Sequence, residues 1–410
     1  MTVEADVVVV GGGLHGCSSA LHLAQRGQRV VLLERRHVGR HSSGINAGGV
    51  RTLNRDPAEI GLSVAGMELW RRIEDLVGDD CGFHAHGQIR IAETEAELEK
   101  VARRVELVRG MGFRHEELIE RDELRRLVPA AAPHCVGGHI VRDDGAADPY
   151  RTTFAFGRRA KALGVDIREG EGLAALERAG ADWVVVAESG RRYRAPVVVN
   201  AAGAWAGDIA AMVGDHVDLR VRASMMMVTE RMPHFLDPVI GAVGRKLSFK
   251  QSDAGTLVIG GGQQGIADRA TERTRIRFAN LARSAEAAIA LFPLMQGVRL
   301  VRSWCGIEAE TVDHVPVLGR SVAAEGIVHS FGYSGHGFQL GPICGAVVAD
   351  LVTRGGTNLP IAGLGLERFQ ARPAEGTAVA GRDQGVPGAD GADQDQAAAD
   401  QTDRRAGAGG

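Results

Sequence analysis

The residues best suited to chemistry lie in a glycine-rich turn near the start of the chain. Four valines, Val7 to Val10, lead into Gly11-Gly12-Gly13-Leu14-His15-Gly16, which fits the pattern G-x-G-x-x-G. Apolar residues at helical spacing follow, and then a second apolar run that ends at Glu34. Glycines let a pyrophosphate approach the backbone, a helix N-terminus offers N–H donors, and the acid can accept from ribose hydroxyls. This order predicts a dinucleotide-binding strand–helix–strand unit.

A second cluster matches the same pattern without the same context. Gly260 to Gly265 follows the apolar run Leu257 to Ile259, but neither an amphipathic helix nor a second strand ending in an acid comes next. We therefore interpret it as a glycine-rich strand end and not as a second phosphate loop.

The course of the chain after Glu34 favours an extended flavin cofactor over a nicotinamide cofactor. A nicotinamide domain would continue with strand–helix units, whereas this chain enters a polar, glycine-rich loop at residues 39–51. A buried strand returns only at Val197 to Asn200, before a glycine-containing turn, and the last cluster spans Gly332 to Gln339. Three clusters far apart in sequence indicate one long cofactor.

Hydrophobic periodicity predicts the elements that position these clusters. An apolar helix should begin near Phe338, and the alternating charges of residues 93–109 favour a solvated helix. The remaining elements are strands at 29–33, 223–230, 245–251 and 256–260, and a helical stretch at 56–77.

Composition restricts the class of protein. The 410 residues are 44% hydrophobic with a net charge of -3, so neither disorder of the whole chain nor nucleic-acid binding is expected. No apolar run is long enough for a membrane span, and the N-terminus has no basic segment, which predicts a cytoplasmic protein. Five cysteines without a C-x-x-C pair, and histidines without metal-ligand spacing, predict neither disulfides nor a metal site. Residues 373–410 lack aromatic residues, Leu, Ile and Met, which predicts a disordered tail.

Five blocks occur in order along residues 3–355: the first glycine loop with Glu34, Asp144-Gly145 with Asp148-Pro149, Val199 to Trp205, Thr311 to Gly319, and Ser334 to Phe338. Together they resemble the D-amino-acid oxidase superfamily of FAD enzymes, in the branch of sarcosine oxidases and of opine or hydroxyproline dehydrogenase flavoprotein subunits. The resemblance implies an α/β fold with a discontinuous, Rossmann-like FAD-binding domain at 1–55, 145–215 and 310–372. An inserted α+β substrate domain with a mixed sheet would occupy 56–144 and 216–309.

The resemblance also implies which residues bind FAD. The pyrophosphate would lie on the first glycine loop, the ribose on Glu34, and the flavin near the serines of the 39–51 loop and the last glycine cluster. The expected cofactor residues are Gly11, Gly13, Leu14, Gly16, Glu34, Arg35, Ser42, Ser43, Gly203, Trp205, Gly335, Gly337 and Phe338. A cysteine that links flavin covalently in monomeric sarcosine oxidases corresponds to Gly306, so non-covalent FAD is expected.

Four residues are expected at the catalytic centre. Arg51 matches the arginine that binds the substrate carboxylate in monomeric sarcosine oxidases, and arginine suits that task because its planar fork binds carboxylates. Lys246, in a short predicted strand, resembles their oxygen-activating lysine. Gln339 replaces a carboxylate-binding lysine, and His336 lies within the flavin block.

One residue departs from the pattern of the glycine and D-amino-acid oxidases. Glu308 stands where their carboxylate-binding arginine would be. This acid is expected either in a buried salt bridge or against a cationic group of a longer substrate.

These residues predict an FAD-dependent oxidoreductase that oxidises the C–N bond of a secondary amine or amino acid, such as an N-methyl amino acid, an opine or a cyclic imino acid. Hydride would pass to the flavin, and water would hydrolyse the imine. Electrons would continue to oxygen or another acceptor, with a partner subunit as an open possibility. Two alternatives remain: an FAD-holding, catalytically minor subunit of a hetero-oligomeric amine dehydrogenase, and an NAD-dependent dehydrogenase.

Overall fold

A computed structural model describes residues 2–370. The predicted tail, 373–410, lies outside the described residues. The strands are β1 (Thr2–Glu4), β2 (Val7–Val10), β3 (Val30–Glu34), β4 (Gly49–Val50), β5 (Gln88–Ala92), β6 (Glu117–Glu120), β7 (Gly137–Val141), β8 (Gly145–Ala146), β9 (Asp166–Glu169), β10 (Leu173–Ala179), β11 (Asp182–Ala187), β12 (Arg192–Ala195), β13 (Val197–Asn200), β14 (Leu219–Arg231), β15 (Val239–Ala242), β16 (Ser248–Gln251), β17 (Thr256–Gly260), β18 (Ile266–Asp268), β19 (Arg273–Arg275), β20 (Leu300–Thr311), β21 (Val317–Arg320) and β22 (Ile327–Phe331).

The α-helices are α1 (Leu14–Gln25), α2 (Ser42–Ile45), α3 (Pro57–Arg71), α4 (Ile73–Val77), α5 (Glu95–Gly110), α6 (Arg121–Leu127), α7 (Pro149–Ala162), α8 (Ala206–Met212), α9 (Phe278–Leu291), α10 (Gly337–Arg354) and α11 (Glu367–Gln370). Short 3-10 helices span Gly203–Trp205 and Pro293–Met295. None of the helices within residues 2–370 combines the length and apolar character needed to cross a bilayer.

A six-stranded sheet organises the first part of the fold, in the order β21-β22-β13-β2-β3-β9. Its strands run parallel except for β21, which is antiparallel to β22. Val7 and Val9 of β2 pack into a core with α1, α3, α7 and α10, whereas Val8 and Val10 pack towards a four-stranded sheet, β1-β12-β11-β10. Because both faces are covered, the strand is apolar throughout without alternation.

A mixed eight-stranded sheet forms the second part, in the order β20-β14-β17-β16-β15-β5-β7-β6. Its strands come from residues 88–141 and 219–311. One face packs against α9 in a core where the rings of Phe249 and Phe292 stack with centroids 4.6 Å apart. The division of the chain into the two domains proposed above stays a prediction.

Two predicted elements differ in their bounds from the structure. The helical stretch at 56–77 is two helices with a break at Arg72, the first capped by the Asp56 carboxylate, which accepts from the Ala58 amide. The strand predicted at 245–251 begins only at Ser248, so Lys246 lies in the turn before it. The Gly260 to Gly265 cluster, as predicted, begins at the end of β17 and opens no helix.

Candidate cofactor and substrate site

A cavity of about 690 Å³ lies where the two large sheets meet. On one side it is lined by residues at or just after the carboxyl ends of β2, β3, β13 and β22, which is where open α/β sheets bind ligands. On the other side it is lined by β5, β14, β15 and β20 of the eight-stranded sheet. The volume is within the range of small-molecule sites.

The first glycine loop forms a cradle for which side chains leave no room. Gly11 has φ +110°, and a Cβ there would lie 2.4 Å from the Ala201 carbonyl oxygen. The Leu14 amide at the start of α1 donates to Ser43 Oγ at 3.0 Å, which ties this loop to the 39–51 loop. Within the described residues the Gly13 amide donates to no acceptor, so the cradle retains a donor for a phosphate.

Glu34 ends β3 beside the cradle. Its carboxylate accepts from the Gly12 amide at 2.7 Å and from the Arg36 amide at 2.8 Å. Burial raises the pKa of Glu34, against the lowering effect of these two amides. Each oxygen keeps a lone pair for a ribose hydroxyl.

Nearly all of the predicted cofactor residues line this one cavity, although they come from four distant segments. The lining includes Gly11, Gly13, Leu14, Glu34, Arg35, Ser42, Ser43, Gly203, Trp205, Gly335, Gly337 and Phe338. Gly16 is the exception, because it lies inside α1, where a Cβ would come within 1.8 Å of the Gly11 carbonyl oxygen. Gly16 therefore allows close packing of the loop, and its contact with FAD stays a prediction.

The last glycine cluster directs a helix at the cavity. His336 is the N-cap residue of α10, an 18-residue helix whose positive end lies at the cavity wall. The imidazole Nδ1 of His336 lies 3.3 Å from the Glu59 carboxylate, and its carbonyl accepts from Arg55 Nη1 at 3.0 Å. Burial lowers the pKa of His336, although Glu59 opposes that shift.

Cations line the cavity away from the cradle. Arg51 donates from Nη1 to the Leu53 carbonyl at 2.7 Å, and Arg90 donates from Nε and Nη2 to the Ala242 carbonyl. Burial, and next the charge of Arg51, lower the pKa of Arg90 to about 10. Neither guanidinium has a carboxylate within 4 Å in the described part of the chain.

Sequence reasoning missed Arg90. A detectable signal was present, because Gln88 and Arg90 alternate with the core residues Ile89 and Ile91 along β5. Period-2 alternation places both polar side chains on the face that lines the cavity.

A family model of FAD-dependent oxidoreductases, DAO, matches residues 6–351. The chain belongs to this family. It is similar to the sarcosine oxidase beta subunit of Rhizobium meliloti (strain 1021), with 26% identity over 373 residues, 89% of this chain and 88% of the relative. Glycine oxidase of Geobacillus kaustophilus (strain HTA426) is 27% identical over 377 residues, 90% of this chain and 98% of the relative. The crystal structure of L-proline dehydrogenase from P. horikoshii has a TM-score of 0.83 and 25% identity, with 90% of this chain and 99% of that chain covered.

As a DAO-family member, the protein is an FAD-dependent oxidoreductase that acts on amines or amino acids. The resemblance inferred from the five blocks is confirmed, and the NAD-dependent alternative is not supported. The glycine cradle, Glu34 and the N-terminus of α10 are suited to the pyrophosphate, ribose and flavin of FAD, respectively.

Gln339 does not line the cavity of this DAO-family enzyme, contrary to its expected place at the catalytic centre. Its side chain is fully buried. Oε1 accepts from Arg55 Nη2 at 3.1 Å and from Ser63 Oγ at 3.0 Å, while Nε2 donates to the Ser63 carbonyl at 2.9 Å. These bonds commit the amide to Arg55 and Ser63 and turn it away from the cavity.

Glu308 lines the cavity but forms no salt bridge with any described residue, so the buried salt bridge expected for it is wrong. The nearby Arg222 pairs with Glu310 instead. Oε1 of Glu308 accepts from the Gly335 amide at 2.5 Å, and Oε2 accepts from Ser224 Oγ at 3.2 Å. Burial raises the pKa of Glu308.

Two lysines lie near β16. Lys246 lines the cavity from the preceding turn, and its role towards oxygen stays a prediction. Lys250, on β16 itself, donates to the Ala147 carbonyl at 3.4 Å, and burial lowers its pKa to about 8. Its side chain lies behind the cavity wall, next to Gly48.

Proposed function

We propose that this enzyme oxidises the C–N bond of a secondary amine or amino acid that carries a carboxylate, such as an N-methyl amino acid, an opine or a cyclic imino acid. The observation that carries the proposal is the Arg51 guanidinium, which lines the cavity without a carboxylate partner among residues 2–370. The carboxylates of Glu59, Asp144 and Glu116 act on the charge of this half-buried cation only from beyond 4 Å, so the contact position is open to a ligand carboxylate.

FAD held by the glycine cradle, Glu34 and the N-terminus of α10 would supply the hydride acceptor. The substrate would lose a hydride from carbon and a proton from nitrogen, and water would hydrolyse the resulting C=N bond to a carbonyl compound and an amine. Arg51 would fix the carboxylate, and with it the orientation of the C–H bond. The N-terminus of α10 would stabilise negative charge that develops at the cavity wall. His336, Glu59 and Arg55 form the network that holds this end of the helix.

Two electron acceptors are proposed, oxygen and a partner subunit. Lys246 lines the cavity, and a cation beside a flavin site would favour superoxide electrostatically. This cation supports oxygen as the acceptor, and the similarity to a sarcosine oxidase beta subunit supports a partner subunit.

The test is anaerobic mixing of the flavin-loaded protein with N-methyl amino acids, opines, prolines and D-amino acids, followed by absorbance in the flavin band. At least one secondary amine with a carboxylate should bleach the band, and its carboxamide analogue should do so far more slowly because it offers Arg51 no negative charge. If no compound bleaches the flavin, even with partner subunits supplied, the catalytically minor subunit becomes the better description.

A further inference from the structure

The charged groups of the cavity divide into paired and unpaired sets. Arg222 pairs with Glu310, Arg245 with Glu93, and Arg55 lies 3.7 Å from Glu59. Three other groups that line the cavity away from the glycine cradle have no opposite charge within 4 Å in the described part of the chain. They are Arg51, Arg90 and Glu308.

The two arginines keep unused donors. Arg90 uses Nε and Nη2 on the carbonyls of Ala242 and Val243, and no described residue accepts from its Nη1. Among residues 2–370, Arg51 donates only from Nη1, to the Leu53 carbonyl. The two guanidiniums influence each other, because the charge of Arg51 lowers the pKa of Arg90. Two like charges kept together in a cavity favour a ligand with two negative groups.

Glu308 supplies the opposite charge. It reaches the cavity from β20, and its two oxygens are oriented by the Gly335 amide and the Ser224 hydroxyl. Neither donor neutralises the carboxylate. Such an oriented carboxylate suits an ammonium group, with which it forms a charge-assisted hydrogen bond.

We propose that the preferred substrates are secondary amines with two carboxylates, in which Arg51 and Arg90 each bind one carboxylate and Glu308 binds the ammonium. The chemical class is an N-(carboxyalkyl) amino acid. This inference rests on the proposed function and narrows its substrate class. It assigns Arg90 and Glu308 as specificity-determining residues, with the three charges of the cavity matched by three charges of the ligand.

Three small probes separate these contacts. Iminodiacetate has two carboxylates and a secondary ammonium, sarcosine lacks the second carboxylate, and diglycolate has an ether oxygen in place of the nitrogen. Dissociation constants would be measured from changes in the flavin spectrum under anaerobic conditions, with flavin reduction followed in parallel. Iminodiacetate should bind about tenfold or more tightly than either of the other two, because each comparison removes one charge-assisted contact.

Two substitutions test the assignment. Arg90→Met keeps the apolar stem and should reduce the preference for iminodiacetate over sarcosine to about threefold or less, with Arg90→Lys intermediate. Glu308→Gln should similarly reduce the preference for iminodiacetate over diglycolate. Arg103→Met, on the exposed face of α5, is the matched control and should change neither ratio. Flavin content and thermal unfolding establish that each variant is folded, and Arg90→Lys replaces Arg90→Met if the latter does not fold.

The results that would overturn this inference differ from the results that would overturn the proposed function. Equal affinities for iminodiacetate and sarcosine in the unmodified protein, or an Arg90→Met variant that weakens both equally, would overturn the inference. If sarcosine or another monocarboxylate still bleaches the flavin in that case, the proposed function stands without it. If no carboxylate-bearing amine bleaches the flavin, the proposed function fails first.

Discussion

The imidazole of His15 lies flat against the ring of Tyr333, with centroids 3.6 Å apart and an angle of 14° between the planes. His15 belongs to the first glycine loop, whereas Tyr333 belongs to the last, and both line the cavity. The Tyr333 hydroxyl is held by Ser330 Oγ at 2.8 Å. The stack therefore joins the first glycine cluster of the chain to the last one at the cavity.

This stack has a consequence for stability against pH. Desolvation lowers the pKa of His15 to about 3, so the folded protein keeps the ring neutral, while the unfolded chain binds a proton near the ordinary histidine pKa of 6.5. The free energy of unfolding is therefore highest above pH 6.5. As the pH falls from 6.5 towards 3, it decreases by at most about 1.4 kcal/mol for each pH unit, because only the unfolded chain takes up the proton. Urea unfolding between pH 7 and pH 5 should be less pH-dependent in His15→Gln. The same substitution at the exposed His216 should leave the slope unchanged, and an unchanged slope for His15→Gln would contradict the assignment.

Substitution of Arg51 should separate substrate binding from cofactor binding. Arg51→Met removes the guanidinium but keeps an apolar stem, so we expect kcat/KM for a carboxylate-bearing amine to fall by about a hundredfold or more, because truncation leaves a buried carboxylate unpaired. FAD content should be unchanged, since Arg51 lies away from the glycine cradle. Steady-state kinetics and the absorbance ratio of flavin to protein measure the two effects. Unaltered kinetics would remove Arg51 from the site.

The glycine cradle predicts a sharp difference between two alanine substitutions at positive φ. Gly27 has φ +77° with nothing within 4 Å of a Cβ, so Gly27→Ala should cost only about 1 kcal/mol and retain FAD. Gly11 has φ +110° and no space beside the Ala201 carbonyl, so Gly11→Ala should raise the dissociation constant for FAD by about tenfold or more. Quenching of FAD fluorescence on titration measures both. Equal FAD affinities in the two variants would show that the cradle is not the pyrophosphate site.

Flavin attachment should be non-covalent. No thiol faces the main cavity, since none of the five cysteines lines it and Cys305 Sγ lies beside Gly265 instead. Gly306 itself is packed against Ile45, with only 2.1 Å between an added Cβ and Ile45 Cδ1. Acid precipitation should therefore release all of the flavin into the supernatant. Flavin absorbance that stays with a tryptic peptide would show a covalent bond.

Local patterns were sufficient for the first part of the fold. The unbroken valines of β2, the glycine turn and the terminal Glu34 of β3 specify a buried parallel strand, its loop and the following helix, because each signal acts within a few residues. Ordered blocks along the chain likewise identified the family, and most of the residues expected to bind FAD line one cavity. The start of β16 was less predictable, because a short strand takes its bounds from its neighbours in the sheet.

Only the tertiary structure decided which polar side chains face the cavity. Gln339 and Arg90 are both polar residues in elements next to the cavity, yet Gln339 is buried against Arg55 and Ser63 while Arg90 reaches the cavity. The sequence also did not predict how the charges pair. Glu308 and Glu310 lie on the same face of β20, so either could have paired with Arg222, and the structure pairs it with Glu310. The sequence by itself determined an FAD site and its family. The packing of the two sheets determined which charged side chains of the cavity have no partner of opposite charge within the protein. Such pairing depends on distances between residues that are far apart in the chain.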